Sequence, residues 1–424
     1  MPNQGHLCKG GVLMKHLIIG AGPAGITAAK TIRNLRPKDE IIVLTEDKHI
    51  ISRVMLHKYI TDERDIDTLG FVEEDFLRKN NIRWFGEHKV THINPKSKTV
   101  TTNKKKFSYD KLLLAPGAKS IVPPICILEI VKNLYSFRHL ADAKAIQAAA
   151  ASGERAVIIG AGLVGLSVAE SLLKLNKKVA MVEAAPGILS LNLDAHSAKT
   201  YQHLFEEAGC EFYLNQKVDG TEVDASGSIT EVILEDGTHL PCDFVVAVAG
   251  AKPEVELLKD SGIAYDRALV VDEHLATNFP DIYGAGDVTG LSGIWPNAMK
   301  QGEVAGKNMA GEVTVYDDTF AVKNTVHFYD LVTLSVGLTK PEEGDVVEIR
   351  EDRKGYRKLI LRDGRIVGII LQGDISNSGF WQHLIKNGIR VDNLNKPIWK
   401  VGFADFVSFN EEGEYEWLEV EVSA

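Results

Sequence analysis

Short apolar runs, each bounded by glycine or by charged residues, recur along this chain. The first, His16–Ile19, leads through the segment GAGPAG into an alanine-rich stretch, Ile26–Lys30. A short apolar run followed by glycine predicts a buried strand, and the small residues that follow predict a helix packed against it. Ile41–Leu44 is a second β-branched run. The pattern therefore predicts a βαβ unit near the beginning of the chain.

The glycines between this strand and helix predict a phosphate-binding turn. Gly20, Gly22 and Gly25 have the G-x-G-x-x-G spacing, which closes a tight turn, lets backbone approach a pyrophosphate and lets the helix pack on its strand. The helix N-terminus adds free N–H groups and roughly half a positive charge. Glu46 follows about 20 residues later, where an acidic side chain binds a ribose hydroxyl. The alternative is that Glu46 merely ends a strand at the surface.

The same pattern returns in the middle of the chain, in the segment RAVIIGAGLVGLSVAE. Gly160, Gly162 and Gly165 repeat the glycine spacing, and the apolar run Val179–Val182 leads to a second acid, Glu183. A single glycine motif is weak evidence, but the acid and the strand context occur twice here. The sequence therefore predicts two dinucleotide sites.

The second acid also bears on the choice of nicotinamide cofactor. A 2′-phosphate beside Glu183 would meet a like charge, and no arginine follows within Ala184–Leu191 to accommodate that phosphate. We therefore expect NADH rather than NADPH.

Composition excludes several classes of function. The chain has 424 residues, of which 48 are basic and 58 acidic, and its net charge of −10 argues against nucleic-acid binding. No uncharged run approaches the roughly 20 residues of a membrane span. Met1–Met14 lacks the apolar core of a signal peptide, so we expect a cytoplasmic protein. Cys8, Cys126, Cys210 and Cys242 are widely scattered, which predicts reduced thiols rather than a redox disulfide or a metal site.

The rest of the pattern predicts further strands and helices. Helices are expected at 71–80, 135–151, 294–311 and 380–386, and strands at 90–93, 99–102, 107–115, 244–250, 332–336, 356–361 and 366–371. Asp363-Gly364 is typical of a hairpin turn. The last hundred residues therefore predict an α+β part without a nucleotide motif. The acidic tail, Glu411–Ala424, alternates like an amphipathic strand, which would be either an edge strand or a docking element for a partner.

Five segments recur in a characteristic order: GAGPAG (Gly20–Gly25), YDKLLLAPGA (Tyr109–Ala118), GAGLVG (Gly160–Gly165), VVAVAGAKPE (Val245–Glu254) and IYGAGD (Ile282–Asp287). Together they resemble the FAD/NAD(P)H pyridine-nucleotide oxidoreductase superfamily. Within it, the segments SRVMLHKYI, IWPNAMKQGEVAGKNMAG and IILQGDISNSGFWQHLI look most like rubredoxin reductases and the flavin module of NAD(P)H-nitrite reductases. The resemblance implies an α/β fold class with two Rossmann-like dinucleotide-binding domains, in which the NAD fold is inserted in a split FAD fold, plus an α+β C-terminal interface domain. The domains expected are 1–123 with 251–320 for FAD, 124–250 for NAD(H), and 321–424 for the interface domain with the acidic tail.

The resemblance also implies a set of site residues. Asp287 would bind the ribityl chain of FAD, Val90 would offer backbone to the adenine, and the helix start at Trp295 would face the isoalloxazine. Arg53 and Lys58 would approach the same ring and act in catalysis, although from composition alone they fit a solvated helix face equally well. The cofactor-binding residues expected are Gly20, Gly22, Pro23, Ala24, Gly25, Glu46, Arg53, Lys58, Val90, Ala115, Gly117, Gly160, Gly162, Leu163, Val164, Gly165, Glu183, Gly250, Gly286, Asp287, Trp295 and Pro296.

By the same resemblance, the expected function is an FAD-dependent oxidoreductase that passes electrons from NADH to rubredoxin, ferredoxin or an iron–sulfur subunit. The alternatives are a flavin-only NADH oxidase or small-molecule reductase, and a non-catalytic subunit whose redox state gates partner binding. Lys48–Arg53 lacks the redox cysteine of the disulfide reductases, and Ser167 stands where relatives often have glutamate, with Glu170 one turn on. No metal is expected. The resemblance implies a homodimer through the interface domain, but Val332–Val336 could as easily face a different subunit of a larger complex, and both stay open.

Overall fold

The computed structural model describes residues 13–122, 131–318, 323–394 and 396–417. Its strands are β1 (Lys15–Ile19), β2 (Glu40–Leu44), β3 (Ile82–Phe85), β4 (Val90–Asn94), β5 (Thr99–Thr102), β6 (Lys106–Ser108), β7 (Lys111–Leu114), β8 (Ala118–Ser120), β9 (Leu134–Tyr135), β10 (Arg155–Ile159), β11 (Lys178–Glu183), β12 (Cys210–Leu214), β13 (Val218–Val223), β14 (Ile229–Leu234), β15 (His239–Pro241), β16 (Phe244–Ala247), β17 (Ala251–Pro253), β18 (Ile282–Gly284), β19 (Lys323–Phe328), β20 (Leu331–Gly337), β21 (Val346–Asp352), β22 (Gly355–Arg362), β23 (Arg365–Gly373), β24 (Val407–Phe409) and β25 (Tyr415–Trp417). Its α-helices are α1 (Pro23–Leu35), α2 (His57–Ile60), α3 (Phe76–Lys79), α4 (Leu140–Ser152), α5 (Leu163–Lys174), α6 (Ala195–Glu207), α7 (Trp295–Met309) and α8 (Ser378–Lys386).

The chain divides into two compact units. The first unit is drawn from Met1–Ile121, Ser136–Gln147 and Gly250–Thr319, and the second from Val122–Tyr135, Ala148–Ala249 and Phe320–Ala424. The second unit thus takes in both the middle of the chain and its C-terminal part. The three-domain division expected from the sequence stays a prediction.

A parallel five-stranded sheet with the order β18-β7-β1-β2-β3 forms the centre of the first unit. Its edge strand β18 follows all the strands of a second parallel sheet along the chain, so the first sheet is interrupted in sequence. Helices α1 and α7 pack closely together, because Gly302 carries no side chain: a Cβ there would lie 2.2 Å from the backbone oxygen of Ala24. An antiparallel sheet, β4-β5-β6, and the pair β8-β17 complete the unit.

The second unit contains the second parallel sheet, with the order β12-β11-β10-β16-β9, and an antiparallel sheet, β13-β14-β15. Its C-terminal part is an antiparallel sheet, β19-β20-β23-β22-β21, with α8 packed against it through Trp381 and Leu384. The predicted hairpin turn at Asp363 and Gly364 joins β22 to β23, and both residues have positive φ (48° and 73°), as two-residue hairpins favour. The predicted fold class is confirmed.

Three helix and strand predictions are wrong in extent. The helix expected over 71–80 is reduced to α3, and the strand expected over 107–115 breaks at Asp110, whose carboxylate accepts a hydrogen bond from the N–H of Lys15 at 2.7 Å. The helix expected from Tyr135 starts at Leu140 instead. Asp142 accepts hydrogen bonds from the N–H groups of the two residues before Leu140, at 2.8 and 2.9 Å, and thereby fixes that start.

Two predictions about the C-terminal part are also corrected. The expectation that Val332–Val336 faces a subunit is wrong, because β20 lies inside its sheet with Thr333, Leu334, Ser335 and Val336 buried. The tail strand β25 pairs with β24 in a separate two-stranded sheet rather than closing the five-stranded one. The remainder of the tail prediction, 418–424, and nearly all of the prediction for Met1–Met14 lie outside the described residues.

Candidate cofactor sites

The first glycine turn contains three glycines that the structure treats differently. Gly20 has φ of +104°, and a Cβ there would lie 1.9 Å from the backbone oxygen of Ala115; a Cβ on Gly25 would lie 2.0 Å from the oxygen of Gly20. Packing therefore demands glycine at both positions. Gly22, the N-cap of α1, has φ of −76°, and a Cβ there would meet nothing within 4 Å. Neither conformation nor packing explains this glycine, so the open space beside it is available to a ligand.

The second glycine turn repeats this division. Gly160 has φ of +109°, and a Cβ there would lie 2.7 Å from the oxygen of Val248; at Gly165 it would lie 2.0 Å from the oxygen of Gly160. Gly162, the N-cap of α5, again faces open space. The two turns therefore each leave a cradle at a helix N-terminus, where free N–H groups favour an anion.

Glu183 is fixed beside the second turn by two hydrogen bonds. Its Oε2 accepts from the N–H of Ala161 at 2.7 Å, and its Oε1 accepts from the N–H of Ala185 at 2.8 Å. The carboxylate therefore sits at the end of β11 in contact with the glycine turn, where the sequence pattern expected it. The corresponding acid of the first turn, Glu46, is half exposed, with the ammonium of Lys89 at 4.0 Å. Val90 begins β4.

Asp287 lies directly after Gly286, which has φ of +82°. Its Oδ2 accepts a hydrogen bond from Nη2 of Arg138 at 2.8 Å. Gln301, fully buried on α7, accepts from the N–H of Gly286 at 2.7 Å and from the hydroxyl of Thr289 at 3.0 Å. The Nε2 of Gln301 has no hydrogen-bond partner within the described part of the chain. These hydrogen bonds hold the turn in place, and Nε2 of Gln301 remains available as a buried donor within the described chain.

Two guanidinium groups flank Gly117, which has φ of +85°. A Cβ on Gly117 would lie 3.5 Å from Nη2 of Arg138 and 3.6 Å from Nη1 of Arg53. Burial and the charge of Arg53 lower the pKa of Arg138, while the ion pair with Asp287 opposes this shift. The Nε of Arg138 is buried without a partner among the described residues. The two arginines are balanced in charge by Asp47 and Asp287, and the site retains one buried donor, Nε of Arg138, that its own acceptors do not satisfy.

Arg53 is held in place by Asp47. Its Nη2 donates to Oδ2 of Asp47 at 3.0 Å, and Nδ1 of His139 lies 3.3 Å from Oδ1 of the same carboxylate. Burial alone would raise the pKa of Asp47, but the hydrogen bond with His139 and the charge of Arg53 outweigh burial and lower it. The structure thus brings together the predicted residues Arg53, Gly117 and Asp287, with Asp47 added to them.

Sequence reasoning did not find Arg138, His139, Asp47 or Gln301. The adjacent Arg138 and His139 precede an alanine-rich helix, and a basic pair just before a helix N-terminus was the signal available. Their carboxylate partners, Asp47 and Asp287, lie 92 and 149 positions away in sequence from His139 and Arg138 respectively. Such pairings become visible only in the folded chain.

Lys58 forms an ion pair with Glu63. Its Nζ lies 3.1 Å from Oε2 of Glu63, and the hydroxyl of Thr61 donates to Oε1 of Glu63 at 3.1 Å. Both charged side chains are about one-third exposed.

Trp295, at the start of α7, makes an edge-to-face contact with Phe71 at 4.9 Å between ring centroids. Pro296 occupies the first turn of that helix.

Ser167 and Glu170, where the sequence departs from the family pattern after the second glycine turn, each form a hydrogen bond within the second unit. The hydroxyl of Ser167 donates to the backbone oxygen of Leu163 at 2.8 Å, within α5. Glu170 accepts from the N–H of Tyr329 at 3.3 Å and so ties α5 to the C-terminal part of the second unit. Val164 is half exposed at the start of α5. In this structure Glu170 therefore serves a tertiary contact.

Within the described ranges, neither the cysteines nor any group of metal-ligating side chains forms a further redox or metal site. Cys210 and Cys242 are free and buried, and burial raises the pKa of each thiol to about 12. Cys8 and Cys126 lie outside the described residues. Across the described residues, no three His, Cys, Asp or Glu side chains come together as metal ligands would, and no helix combines the length and apolarity needed to cross a membrane.

Comparison with known proteins agrees with this geometry. The family model described as pyridine nucleotide-disulphide oxidoreductase matches residues 14–302, and the model described as rubredoxin NAD+ reductase C-terminal domain matches residues 323–389. The chain is 31% identical over 386 residues to the epsilon subunit of the NADH-dependent phenylglyoxylate dehydrogenase of Aromatoleum evansii, covering 88% of this chain and 91% of that one.

Two further similarities extend over about nine-tenths of this chain. The chain is 27% identical over 390 residues to the NAD(P)H nitrite reductase of Bacillus subtilis (strain 168); the match covers 90% of this chain and 48% of that relative, so this chain spans about half its length. The crystal structure of the covalent putidaredoxin reductase–putidaredoxin complex contains a chain that superposes with a TM-score of 0.80 at 26% identity, covering 89% of this chain and 94% of that one.

Proposed function

Because the chain belongs to the pyridine nucleotide-disulphide oxidoreductase family, we propose that it passes electrons from NADH through FAD to a separate electron-carrier protein. The predicted family and its cofactors, FAD and NAD(H), are confirmed. Bound FAD supplies chemistry that side chains lack, since it accepts two electrons from NADH and releases them one at a time. A cytoplasmic location, where NADH is available, is part of the proposal.

The proposal rests on two glycines that neither backbone conformation nor packing requires. Gly22 and Gly162 each lie at a helix N-terminus, each face open space, and neither is required by backbone conformation. A side chain at either position would fill the path by which a pyrophosphate approaches the helix N–H groups. One such cradle lies in each unit, which fits one dinucleotide in each.

In the first unit we assign FAD to the turn at Gly20–Gly25, with Glu46 at the ribose and Asp287 at the ribityl chain. The donor excess around Gly117 fits this assignment, because FAD carries negative charge that Arg53 and Arg138 would stabilise. The hydrogen bond from Arg138 would orient the carboxylate of Asp287, which would accept hydrogen bonds from hydroxyl groups. Asp47 would keep Arg53 oriented toward the site rather than toward solvent.

In the second unit we assign NADH to the turn at Gly160–Gly165. Glu183 is already oriented by the N–H groups of Ala161 and Ala185, so its carboxylate would accept hydrogen bonds from the adenosine ribose without reorganising. The same fixed negative charge would repel a 2′-phosphate. This supports NADH as the physiological donor.

The proposal of a protein acceptor is supported by what the C-terminal part of the chain and the whole fold are similar to. Residues 323–389 match the C-terminal domain of rubredoxin NAD+ reductase, and the putidaredoxin reductase chain of similar fold was crystallised joined to its electron-carrier partner. Rubredoxin, a ferredoxin or an iron–sulfur subunit are therefore the acceptors that we propose to test.

The test begins with an anaerobic titration of the purified holoprotein with NADH, in which the visible absorption of the flavin is followed. We expect bleaching at about one NADH per flavin, and then rapid reoxidation by one carrier from a panel of rubredoxin and ferredoxins. NADH consumption in air that no carrier accelerates would move the assignment to an NADH oxidase. A flavin that NADH fails to bleach would point to a non-catalytic subunit.

A further inference from the structure

A small cavity lies in the C-terminal part of the second unit, on the side of the five-stranded sheet that α8 covers. Its wall includes Arg357 on β22, Leu371 on β23 and Trp381 on α8. Arg357 and Leu371 are paired across the two strands, and Leu371 packs with Trp381 in the core beneath α8. The cavity volume of about 190 Å³ is below the roughly 300–1,000 Å³ of pockets that hold drug-sized ligands. The cavity therefore suits a ligand much smaller than a dinucleotide.

The opposite face of β22 contacts helix α6. Tyr356 and Lys358, which flank Arg357 in sequence, donate to Oδ2 of Asp194 at 2.8 and 3.1 Å. Because side chains alternate along a strand, Arg357 projects from the other face. The cavity and α6 therefore lie on different sides of the sheet. None of the described residues that the proposed function assigns to FAD or NADH lines the cavity.

Two cationic side chains in the cavity wall have few partners of their own. The side chain of Arg357 is only 18% exposed, and its hydrogen bond to Asp374, from Nη2 to Oδ2, is long at 3.4 Å. The structure shows no other hydrogen bond of this guanidinium, and none of the Lys354 ammonium, to the described residues. Of the described residues that line the cavity, Asp374 alone is acidic, and its Oδ1 already accepts from the N–H of Ser376 at 2.9 Å. The wall therefore has two cations against one carboxylate, with donors to spare.

Two indole rings supply flat apolar surface in the same wall. Trp381 is 7% exposed, and its ring centroid lies 6.2 Å from that of Trp399. The Nε1 of Trp399 is buried with no acceptor among the described residues. Aromatic surface of this kind packs well against a second ring. The cavity thus combines apolar walls with a few converging polar groups, as small-molecule sites do.

We propose that this cavity binds a small carboxylate with an aromatic body, whose carboxylate accepts hydrogen bonds from Arg357 while its ring packs against Trp381 and Trp399. The planar guanidinium suits this acceptor, because it can donate two parallel hydrogen bonds to one carboxylate. Lys354 adds a second positive charge at the same end of the ligand. A bare inorganic anion would leave the indole surface unused, and a neutral aromatic compound would leave the cations without an acceptor.

Isothermal titration calorimetry of the FAD-loaded full chain with benzoate tests the site. We expect one benzoate to bind with a dissociation constant below about 1 mM. Benzamide has the same shape without the charge, and should bind about tenfold more weakly or worse, because charge-assisted hydrogen bonds are the stronger ones. Saturating NAD+ should leave the benzoate constant unchanged, since the cavity is separate from the dinucleotide sites.

Three variants test which side chains bind the carboxylate. Arg357→Gln removes the charge and retains most of the side-chain length, and should weaken benzoate binding about tenfold or more. Lys354→Gln changes an exposed side chain, so it should fold normally and weaken binding about threefold. Arg350→Gln, on the neighbouring strand and outside the cavity wall, should leave binding unchanged. Flavin reduction by NADH should proceed at the wild-type rate in all three variants.

Several results would overturn the proposal. The first is the absence of saturable benzoate binding up to about 10 mM. Equal affinities for benzoate and benzamide would show that no cation binds the carboxylate. Displacement of benzoate by NAD+ would place it at the dinucleotide site instead. Benzoate binding that neither Arg357→Gln nor Lys354→Gln weakens would place it elsewhere on the chain.

Discussion

Gly20 and Gly22 lie two residues apart in one turn, yet the structure accounts for them differently. At Gly20 the backbone conformation and the oxygen of Ala115 leave no room for a side chain. At Gly22 the conformation suits any residue, and the space beside it is open. Residues required by the fold can thus be separated from residues required by the ligand, and the difference can be measured.

We expect Gly22→Ala to fold nearly as stably as the wild type but to bind FAD about tenfold more weakly, because the added methyl group occupies the pyrophosphate path. Gly20→Ala should instead lower the free energy of unfolding by at least about 2 kcal/mol, because strain and overlap with backbone both oppose it. Chemical denaturation of the flavin-free proteins and FAD titration separate the two effects. Equal losses of stability in both variants would contradict this division.

Glu183 provides a second prediction at the residue scale. Glu183→Gln removes a charged acceptor while keeping the size of the side chain, and we expect the KM for NADH to rise about tenfold or more, since hydrogen bonds to charged groups contribute about 1.5–3 kcal/mol. The KM for NADPH should fall relative to that for NADH. FAD content should not change, and a variant that loses flavin would argue against placing NADH at this turn.

Lys58 allows the proposed catalytic role to be tested directly. Lys58→Ala should slow flavin reduction by NADH about tenfold or more in stopped-flow experiments, because it removes a positive charge proposed to lie near the flavin ring. Glu63→Gln is the matched variant, since it removes the ion-pair partner and retains the lysine. A reduction rate unchanged by Lys58→Ala would remove this residue from the mechanism.

At the scale of elements, helix α6 is joined to the C-terminal sheet by a buried polar cluster. Asp194, the N-cap of α6, accepts hydrogen bonds from the N–H of Ser197 at 3.0 Å, the hydroxyl of Tyr356 at 2.8 Å and Nζ of Lys358 at 3.1 Å. Lys358 also donates to the backbone oxygen of Thr339 at 3.0 Å. Burial would raise the pKa of Asp194, but these hydrogen bonds outweigh burial and lower it.

Removing the carboxylate from the Asp194–Lys358 pair should lower the free energy of unfolding. We expect Asp194→Ala to lower the free energy of unfolding by about 3 kcal/mol, because it leaves the ammonium of Lys358 buried without its carboxylate. The double variant Asp194→Ala with Lys358→Met should recover part of that loss, because no uncompensated charge remains. Urea denaturation measures both, and additive losses would show that the two groups do not interact.

The same carboxylate predicts a dependence on pH. Because the pKa of Asp194 is lower in the folded chain, its contribution to stability is present above the unfolded value of about 3.9 and is lost as pH falls through the folded value. The stability difference between the wild type and Asp194→Asn should therefore be constant above about pH 5 and shrink as pH falls below about 4. A difference that grows on acidification would have the wrong sign.

At the scale of the whole molecule, each of the two compact units carries one glycine turn. Ligand binding to the folded state raises stability by about 2.7 kcal/mol at one hundred times the dissociation constant. Hydrogen exchange should therefore show FAD protecting amides of the first unit around Gly20–Gly25, and NAD+ protecting the second unit around Gly160–Gly165. Protection of the second turn by FAD would reverse the two assignments.

The sequence predicted the two glycine turns and the position of Glu183 because their signals are local, whereas the nucleotides assigned to these turns stay a prediction. A glycine turn, the acid at the end of the next strand and the hairpin at Asp363 and Gly364 depend on the conformations of a few neighbouring residues. The structure places Glu183 against its turn as that pattern required. Helix extents were predicted less well, since the start of α4 depends on capping by Asp142 and the reduced α3 retains only one turn of the expected pattern.

By itself, the sequence determined the fold class, the two glycine turns and the acid beside the second turn, because backbone conformation at glycine and the period of apolar residues are properties of the chain itself. The tertiary structure alone decided that Arg138 meets Asp287 and that His139 meets Asp47. Such charge pairing depends on segments far apart in sequence, so it is settled only when the chain has folded. The exposure of β21 and the burial of β20 have a local cause as well, since β21 carries four charged residues and β20 carries none.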